Sequence, residues 1–270
     1  MLNAHPTVYA DLNAVLRELA TTTRAILDDN FCGAYLQGSF AVGDADEHSD
    51  VDFVVVTHGE FSADQEAVLR RMHARFPALD CDWAKHLEGT YFPKAVLRRP
   101  DPSRAPYLYV DNGSPAMEWS NHDNTAVVRW VLREYGIGLD GPDPASLVDV
   151  VTAEELRDEM RRTMREKAHE LRTSTGATDQ QWNAWLQPHV VLAYCRMLHT
   201  LSTGRVGSKL AAGHWALGAV DRQWAPLIQR ALDDRPDPWL RVHRPADRTA
   251  IADTWAFVDS ALQRAEMTPP

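Results

Sequence analysis

Residues 38–56 run Gly38-Ser39-Phe40-Ala41-Val42-Gly43-Asp44-Ala45-Asp46-Glu47-His48-Ser49-Asp50-Val51-Asp52-Phe53-Val54-Val55-Val56, and they constrain the architecture more than any other segment. The β-branched end reads as a buried strand. Side chains two apart on a strand point to one face, so Asp50 and Asp52 project together where that strand begins. Two adjacent carboxylates repel each other unless a cation sits between them. Hard oxygen donors of this kind suit Mg²⁺, which binds through one or two carboxylates plus substrate phosphates. Gly38 allows close approach of backbone to a phosphate, and Ser39 offers a hydroxyl and an N–H to the same group. Alone, Asp-x-Asp is most often a solvated strand edge and Gly-Ser a turn. The information lies in their combination, with ten residues between Ser39 and Asp50.

Outward from this segment the chain divides in two. Upstream, Leu12, Val15, Leu16, Leu19, Ile26 and Leu27 recur at helical spacing, and Cys32 to Leu36 reads as a short strand. Downstream, Ser62 with Gln65 forms a capping signal for a helix carrying Val68, Leu69, Met72 and Phe76. Ala78–Trp83 and Leu87–Phe92 read as strands. Arg98–Pro115 reads as loop with a short strand at Tyr107–Val110, and Asn124–Tyr135 as a helix ended by Gly136. Beyond Gly141-Pro142-Asp143-Pro144 the pattern becomes helical. Thr152 and Glu155 form a capping box for a helix to about Arg172. Thr173–Thr178 is a small-residue linker, and later stops fall at Gly204 and Asp233–Pro238. The expected organisation is an α/β half over 1–150 and an all-α half over 151–270, with no internal repeat.

Composition narrows the function classes. The 270 residues carry 28 Lys+Arg against 38 Asp+Glu, a formal charge of −10. Such a chain is poorly suited to gripping a nucleic-acid backbone. Cys32, Cys81 and Cys195 are dispersed, without metal-binding spacing, which fits reduced thiols in a cytoplasmic protein. Asp11 and Arg17 stand where a signal peptide would be apolar, and no apolar run is long enough for a membrane span. No GxxxxGK[ST], GxSxG, HExxH or GxGxxG pattern occurs.

The Gly-Ser and Asp-x-Asp pair resembles the signature of the polymerase-β-like nucleotidyltransferases. That resemblance implies a mixed sheet and a third carboxylate to activate the attacking hydroxyl. Glu88, on the alternating strand after the Asp-x-Asp strand, is the expected base; Asp80 and Asp82 are rivals. The helical half narrows the resemblance. Val190-Val191-Leu192 leads to Arg196, Thr203-Gly204 to Lys209, and Ala211-Ala212 to Trp215-Ala216. These resemble the patterns VVLxxxR, TGxIxxK and AAxWA of the streptomycin/spectinomycin 3″-adenylyltransferase family of aminoglycoside nucleotidyltransferases, with Val206 in the Ile position and one more residue before Trp215. Glu118-Trp119-x-x-x-Asp123 is similar to the family's interdomain segment.

The resemblance implies a nucleotidyltransferase domain followed by a helical bundle, and transfer of AMP from ATP to a hydroxyl of an aminoglycoside or aminocyclitol. It implies Asp50 and Asp52 as ligands of two Mg²⁺ ions, and Gly38 and Ser39 on the nucleotide phosphates. Glu88 would be the general base, and Trp119, Asp123 and His189 would contact the acceptor. Arg196 and Lys209 would hold the triphosphate, whose charge needs cations opposite a carboxylate-rich site. The implied partners are a nucleoside triphosphate and a small cationic acceptor, with neither nucleic acid nor membrane, for a monomer or weak dimer. Two alternatives keep the fold: the same chemistry on another natural product or a protein hydroxyl, or a non-catalytic nucleotide-binding regulator. One departure bears on the acceptor. Family members acting on streptomycin carry acidic residues before the VVLxxxR helix, whereas Trp182–Gln187 has none and Asp179 is shifted.

Overall fold

The apolar, β-branched and aromatic segments within 31–57 and 87–120, with a short strand near 137, are realised as one six-stranded sheet. The computed structural model describes residues 2–174, 182–235 and 241–267. The chain separates into two units, Met1–Val151 and Thr152–Pro270.

In the first unit, α1 (Ala10–Leu27) precedes β1 (Phe31–Leu36), the short α2 (Gly38–Val42), β2 (Val51–Thr57) and α3 (Ala63–His73). There follow β3 (Leu87–Pro93), α4 (Lys94–Leu97), β4 (Tyr107–Val110), β5 (Met117–Ser120), α5 (Ala126–Tyr135) and β6 (Ile137–Asp140). The strand order is β5-β4-β3-β2-β1-β6. Strands β2 and β3 are parallel and every other pair is antiparallel, so the sheet is mixed. The parallel pair is possible because the segment through α3 supplies the long crossover it needs. On one face Leu12, Leu16, Leu19, Phe53, Val55, Leu69, Tyr91 and Leu108 form the core with α1 and α3. The capping box is present: Gln65 N–H donates to Ser62 Oγ at 3.2 Å, and Ser62 N–H to Gln65 Oε1 at 3.0 Å.

Two local features depart from expectation. Ala78–Trp83 is no strand: Pro77 lies in one 3₁₀ turn, Phe76–Ala78, and a second turn spans Asp82–His86. The fixed φ of proline favours such a turn over an extended ladder. Strands β5 and β6, four residues each, were not expected. Segments this short carry too little alternation to read.

In the second unit, α6 (Ala153–Ser174) is followed by α7 (Leu186–Thr203), α8 (Lys209–Ala219), α9 (Ala225–Asp233) and α10 (Arg248–Met267). Helix α7 buries Val190, Val191, Leu192, Tyr194, Cys195, Met197, Leu198 and Leu201. It is apolar around most of its circumference, as expected of a helix enclosed by others. Tyr194 Oη donates to Met164 O at 2.8 Å, tying α7 to α6. The Thr152–Glu155 capping box forms, with Glu155 N–H donating to Thr152 Oγ1 at 3.2 Å and Thr152 N–H to Glu155 Oε2 at 2.7 Å. Gly204 ends α7 in the left-handed conformation, and Ser208 caps α8 by accepting from Ala211 N–H at 3.0 Å. Trp182 packs edge-on to Trp255, and Trp224 to Phe257, consistent with a packing role. Thr175–Thr178 of the expected linker, Asp179, and Pro236–Pro238 lie outside the described residues. Among the described residues, no helix is long and apolar enough to cross a membrane.

Candidate active site

The parallel register of β2 and β3 builds the first unit's cluster. Asp52 and Glu88 are direct Cα partners, and register partners share a face. Asp50 lies one residue before β2, and its charge acts on both Glu88 and His86. The rivals fall elsewhere: Asp80 is exposed, and Asp82 is an exposed 3₁₀ residue paired with Lys85 at 2.7 Å.

Gly38 lies against Asp52. Its φ is +62°, and a Cβ there would stand 1.8 Å from Asp52 Oδ2. Gln37 N–H donates to Asp52 O at 2.9 Å, holding the start of α2 beside β2. Ser39 follows as the second residue of α2. A side chain at position 38 would fill the space that brings this backbone up to the carboxylate.

Glu88 is a strongly perturbed carboxyl on this face. Its side chain is 16% exposed. Tyr109 Oη donates to Oε1 at 2.7 Å, and His122 Nε2 stands 3.3 Å from the same oxygen. The Tyr109 and His122 rings stack with centroids 5.2 Å apart. Burial pushes the Glu88 carboxyl up to about 7; His122 and Tyr109 pull it down, while Asp123 and Asp50 add to the rise. Asp123 is buried, accepts from Thr90 Oγ1 at 2.7 Å, and is raised by burial against the opposing effects of His122 and Thr90. Thr90 is two residues from Glu88 and in register with Tyr109, so Asp52, Glu88, Thr90 and Tyr109 share one face.

Trp119 does not join this group. It is in register with Leu108, which belongs to the α1/α3 core, and it stacks on Phe61 at 6.2 Å. Its neighbour Glu118, in register with Tyr109, takes the face of Glu88. The period of two sends adjacent residues of β5 to opposite sides. Tyr109 and His122 had no sequence signal of their own. They meet Glu88 through the β3–β4 register and the turn after β5.

The second unit gathers cations. His189 and Arg196 are seven residues apart on α7, two turns along one face. Lys209 is the first residue of α8. His189 packs on Trp185 with centroids 4.8 Å apart. Its imidazole is held well below its usual pKa, first by burial and then by the charges of Lys209, Lys167 and Arg196. Lys167, on α6, was not anticipated.

Comparisons with known proteins now bear on these two arrangements. Residues 25–81 match the model of the nucleotidyltransferase domain, and residues 146–244 that of the aminoglycoside adenylyltransferase C-terminal domain. These two matches, with the relatives and the solved structure that follow, support an aminoglycoside adenylyltransferase. A spectinomycin 9-adenylyltransferase of Campylobacter jejuni is 22% identical over 243 residues, covering 86% of this chain and 90% of that protein. One from Staphylococcus aureus is 26% identical over 234 residues, covering 82% and 85%. The crystal structure of a spectinomycin adenyltransferase from Enterococcus faecialis with ATP and spectinomycin shares the fold. Its TM-score is 0.68 at 16% identity, over 96% of this chain and 100% of that one. In this chain the first matched segment holds Gly38, Ser39, Asp50 and Asp52, and the second holds His189, Arg196 and Lys209. Glu88, Tyr109, Trp119, His122 and Asp123 lie in the stretch between.

Proposed function

We propose that this chain transfers AMP from ATP to a hydroxyl of a spectinomycin-type aminocyclitol, releasing pyrophosphate. The observation that carries the reading is the pairing of Asp52 with Glu88 across β2 and β3, which sets a buried carboxyl beside the Asp-x-Asp pair.

The donor chemistry of Asp50 and Asp52 fits Mg²⁺. Both offer hard oxygens at a strand end, and Gly38 brings backbone against Asp52. Among the described residues, no group of three or more His, Cys, Asp or Glu side chains is arranged to hold an ion. That fits an ion completed by phosphate oxygens rather than one caged by protein alone. Two Mg²⁺ held there would supply charge neutralisation to the phosphates. Gly38 and Ser39 would donate backbone N–H and hydroxyl hydrogens to phosphate oxygens. Arg196 and Lys209, with Lys167, would bind triphosphate oxygens.

Glu88 takes the proton from the acceptor hydroxyl. The oxygen attacks the α-phosphorus, the bond to the bridging oxygen breaks, and pyrophosphate leaves. A carboxyl raised to about 7 is a stronger base than an ordinary glutamate and still largely ionised above neutrality. Asp123 and His189 are the proposed acceptor contacts. Trp119 is assigned to the edge of the acceptor region only, because its ring lies on Phe61 and off the Glu88 face.

The segment before α7 favours spectinomycin over streptomycin. Asn183 Oδ1 accepts from the N–H groups of Trp185 and Leu186 at 3.0 and 2.7 Å, and Gln187 donates to Thr254 at 2.8 Å. These polar groups are committed to the fold, and Trp182–Gln187 holds no carboxylate for a strongly cationic acceptor. The protein is to be incubated with ATP, Mg²⁺ and each antibiotic, following pyrophosphate release and product mass. The expected result is an AMP adduct of spectinomycin and none of streptomycin. Equal modification of both would overturn the specificity, and no adduct of either would overturn the function.

A further inference from the structure

Two contacts to the Glu88 carboxylate fall on one oxygen. The Tyr109 hydroxyl donates to Oε1 at 2.7 Å and His122 Nε2 stands 3.3 Å from Oε1. Oε2 has no hydrogen-bond partner among the described residues. The two rings stack with an interplanar angle of 22°, so they approach Oε1 as a pair. Tyr109 is fixed by register with Thr90, and Thr90 is bonded to Asp123, the residue after His122. One closed set of contacts thus runs Glu88, Tyr109, Thr90, Asp123, His122 and back to Glu88.

We propose that Tyr109 and His122 form a clamp on Oε1 of Glu88, turning Oε2 to the attacking hydroxyl, and are positioning residues for the transfer. The inference rests on the reading of Glu88 as the base. A carboxylate held through one oxygen by two ring-borne groups loses its rotational freedom while keeping the other oxygen available. A base works only within hydrogen-bond reach of the proton it takes, and small misplacements are costly. His122 contributes a ring nitrogen standing 3.3 Å from Oε1, an ion-pair contact when the imidazole is protonated. The clamp lies in the stretch between the two matched family segments.

Four variants test it. Tyr109→Phe and His122→Phe keep both rings, and therefore the stack, while removing the hydroxyl donor in one case and the ring nitrogen near Oε1 in the other. Each is expected to lower kcat about tenfold, with KM for ATP and spectinomycin within about twofold and an unchanged thermal midpoint, as for loss of orientation alone. His122→Gln keeps a side-chain N–H and is expected to recover kcat to within about threefold of the parent protein. Glu88→Gln is the control on the reading beneath. Loss of turnover in Glu88→Gln with wild-type kcat in both Phe variants would overturn the clamp and leave the base intact. Wild-type turnover in Glu88→Gln would overturn the base assignment, and the clamp as a catalytic device with it. The contact itself is read without turnover from the ¹³C resonance of the Glu88 carboxyl, assigned by its loss in Glu88→Gln. The resonance is expected to shift in Tyr109→Phe and again in His122→Phe. An unmoved resonance in both would overturn the clamp whatever the activity.

Discussion

The carboxylate face of the first unit and the cationic face of the second are built by different means. Asp52, Glu88, Thr90 and Tyr109 are set by strand register, so backbone hydrogen bonds fix where each side chain begins. Their stems are short, and Glu88 and Asp123 are largely buried. His189, Arg196, Lys209 and Lys167 come from three helices, and the three cations sit on long, flexible stems. The contrast matches two tasks. A reacting oxygen must be held within a fraction of an ångström, whereas a polyphosphate needs charge that can follow it. The sheet therefore carries the demanding geometry and the helices the adaptable charge. Substitutions on the sheet are expected to fall on kcat, and those on the helices on KM.

The strongest way to break that division is at the Asp-x-Asp pair. Asp52→Asn keeps the shape and removes the charge. It is expected to lower kcat by about 10³-fold or more, roughly 4 kcal/mol of barrier. Turnover within about tenfold of the parent protein, measured by pyrophosphate release, would remove Asp52 from the machinery. Gly38→Ala comes next. The added Cβ would meet Asp52 Oδ2 at 1.8 Å, and φ of +62° disfavours any L side chain. The expectation is a loss of about 10² in kcat and a stability cost of about 1–2 kcal/mol, the latter seen by denaturant titration. An unchanged kcat would show that the close approach of this backbone is unnecessary.

The sheet side was legible in the sequence to the extent that it follows a period of two. The pairing of Asp50 with Asp52 and the choice of Glu88 over Asp80 and Asp82 need only a strand and its neighbour. The parallel β2–β3 register makes Glu88 the partner of Asp52. What a single strand does not encode is how distant segments meet. Tyr109 and His122 reach Glu88 through β4 and a turn 30-odd residues downstream, and neither stands in a motif. The resemblance assigns Trp119 to the acceptor, and no strand pattern shows in advance that its pairing with Leu108 sets it on the face opposite Glu88. On the helical side, His189, Arg196 and Lys209 come from the resemblance alone; helical spacing and the cap at Ser208 account only for their places on α7 and at the start of α8. Lys167 belongs to a helix whose charged surface gives no hint of which residue will face α7.

A third test concerns stability rather than rate. Burial raises Glu88 to about 7 from an ordinary value of 4.5. The folded protein therefore holds a proton that the unfolded chain releases between these values, and stability falls as pH rises through this window. Glu88→Gln cannot ionise. Relative to the parent protein it is expected to gain stability progressively from about pH 4.5 to 7, reaching about 1–3 kcal/mol near pH 8. Urea titrations at pH 5 and pH 8 measure the difference. A gap of equal size at both values would show that burial does not perturb this carboxyl.

The smallest effects belong to the cations, and their order is the sharper test. Arg196 and Lys209 are half-buried, whereas Lys167 is exposed. A charge removed from a partly desolvated position costs more than one screened by water and salt. Lys209→Ala and Arg196→Ala are each expected to raise KM for ATP about 10- to 30-fold, roughly 1.4–2 kcal/mol, with kcat changed less than about threefold. Lys167→Ala is expected to raise it only about two- to threefold, an effect that vanishes near 0.5 M salt. His189 supplies an independent readout, since burial and all three cations hold its imidazole below the usual value. Removing any one of them should move its NMR titration upward, because a neighbouring positive charge disfavours protonation. If Lys167→Ala moves His189 while leaving KM for ATP unchanged at low salt, Lys167 belongs to the histidine's surroundings and not to the phosphate site. If kcat falls with KM unchanged in Lys209→Ala, the division between a positioning sheet and a binding helix face fails at its helical side.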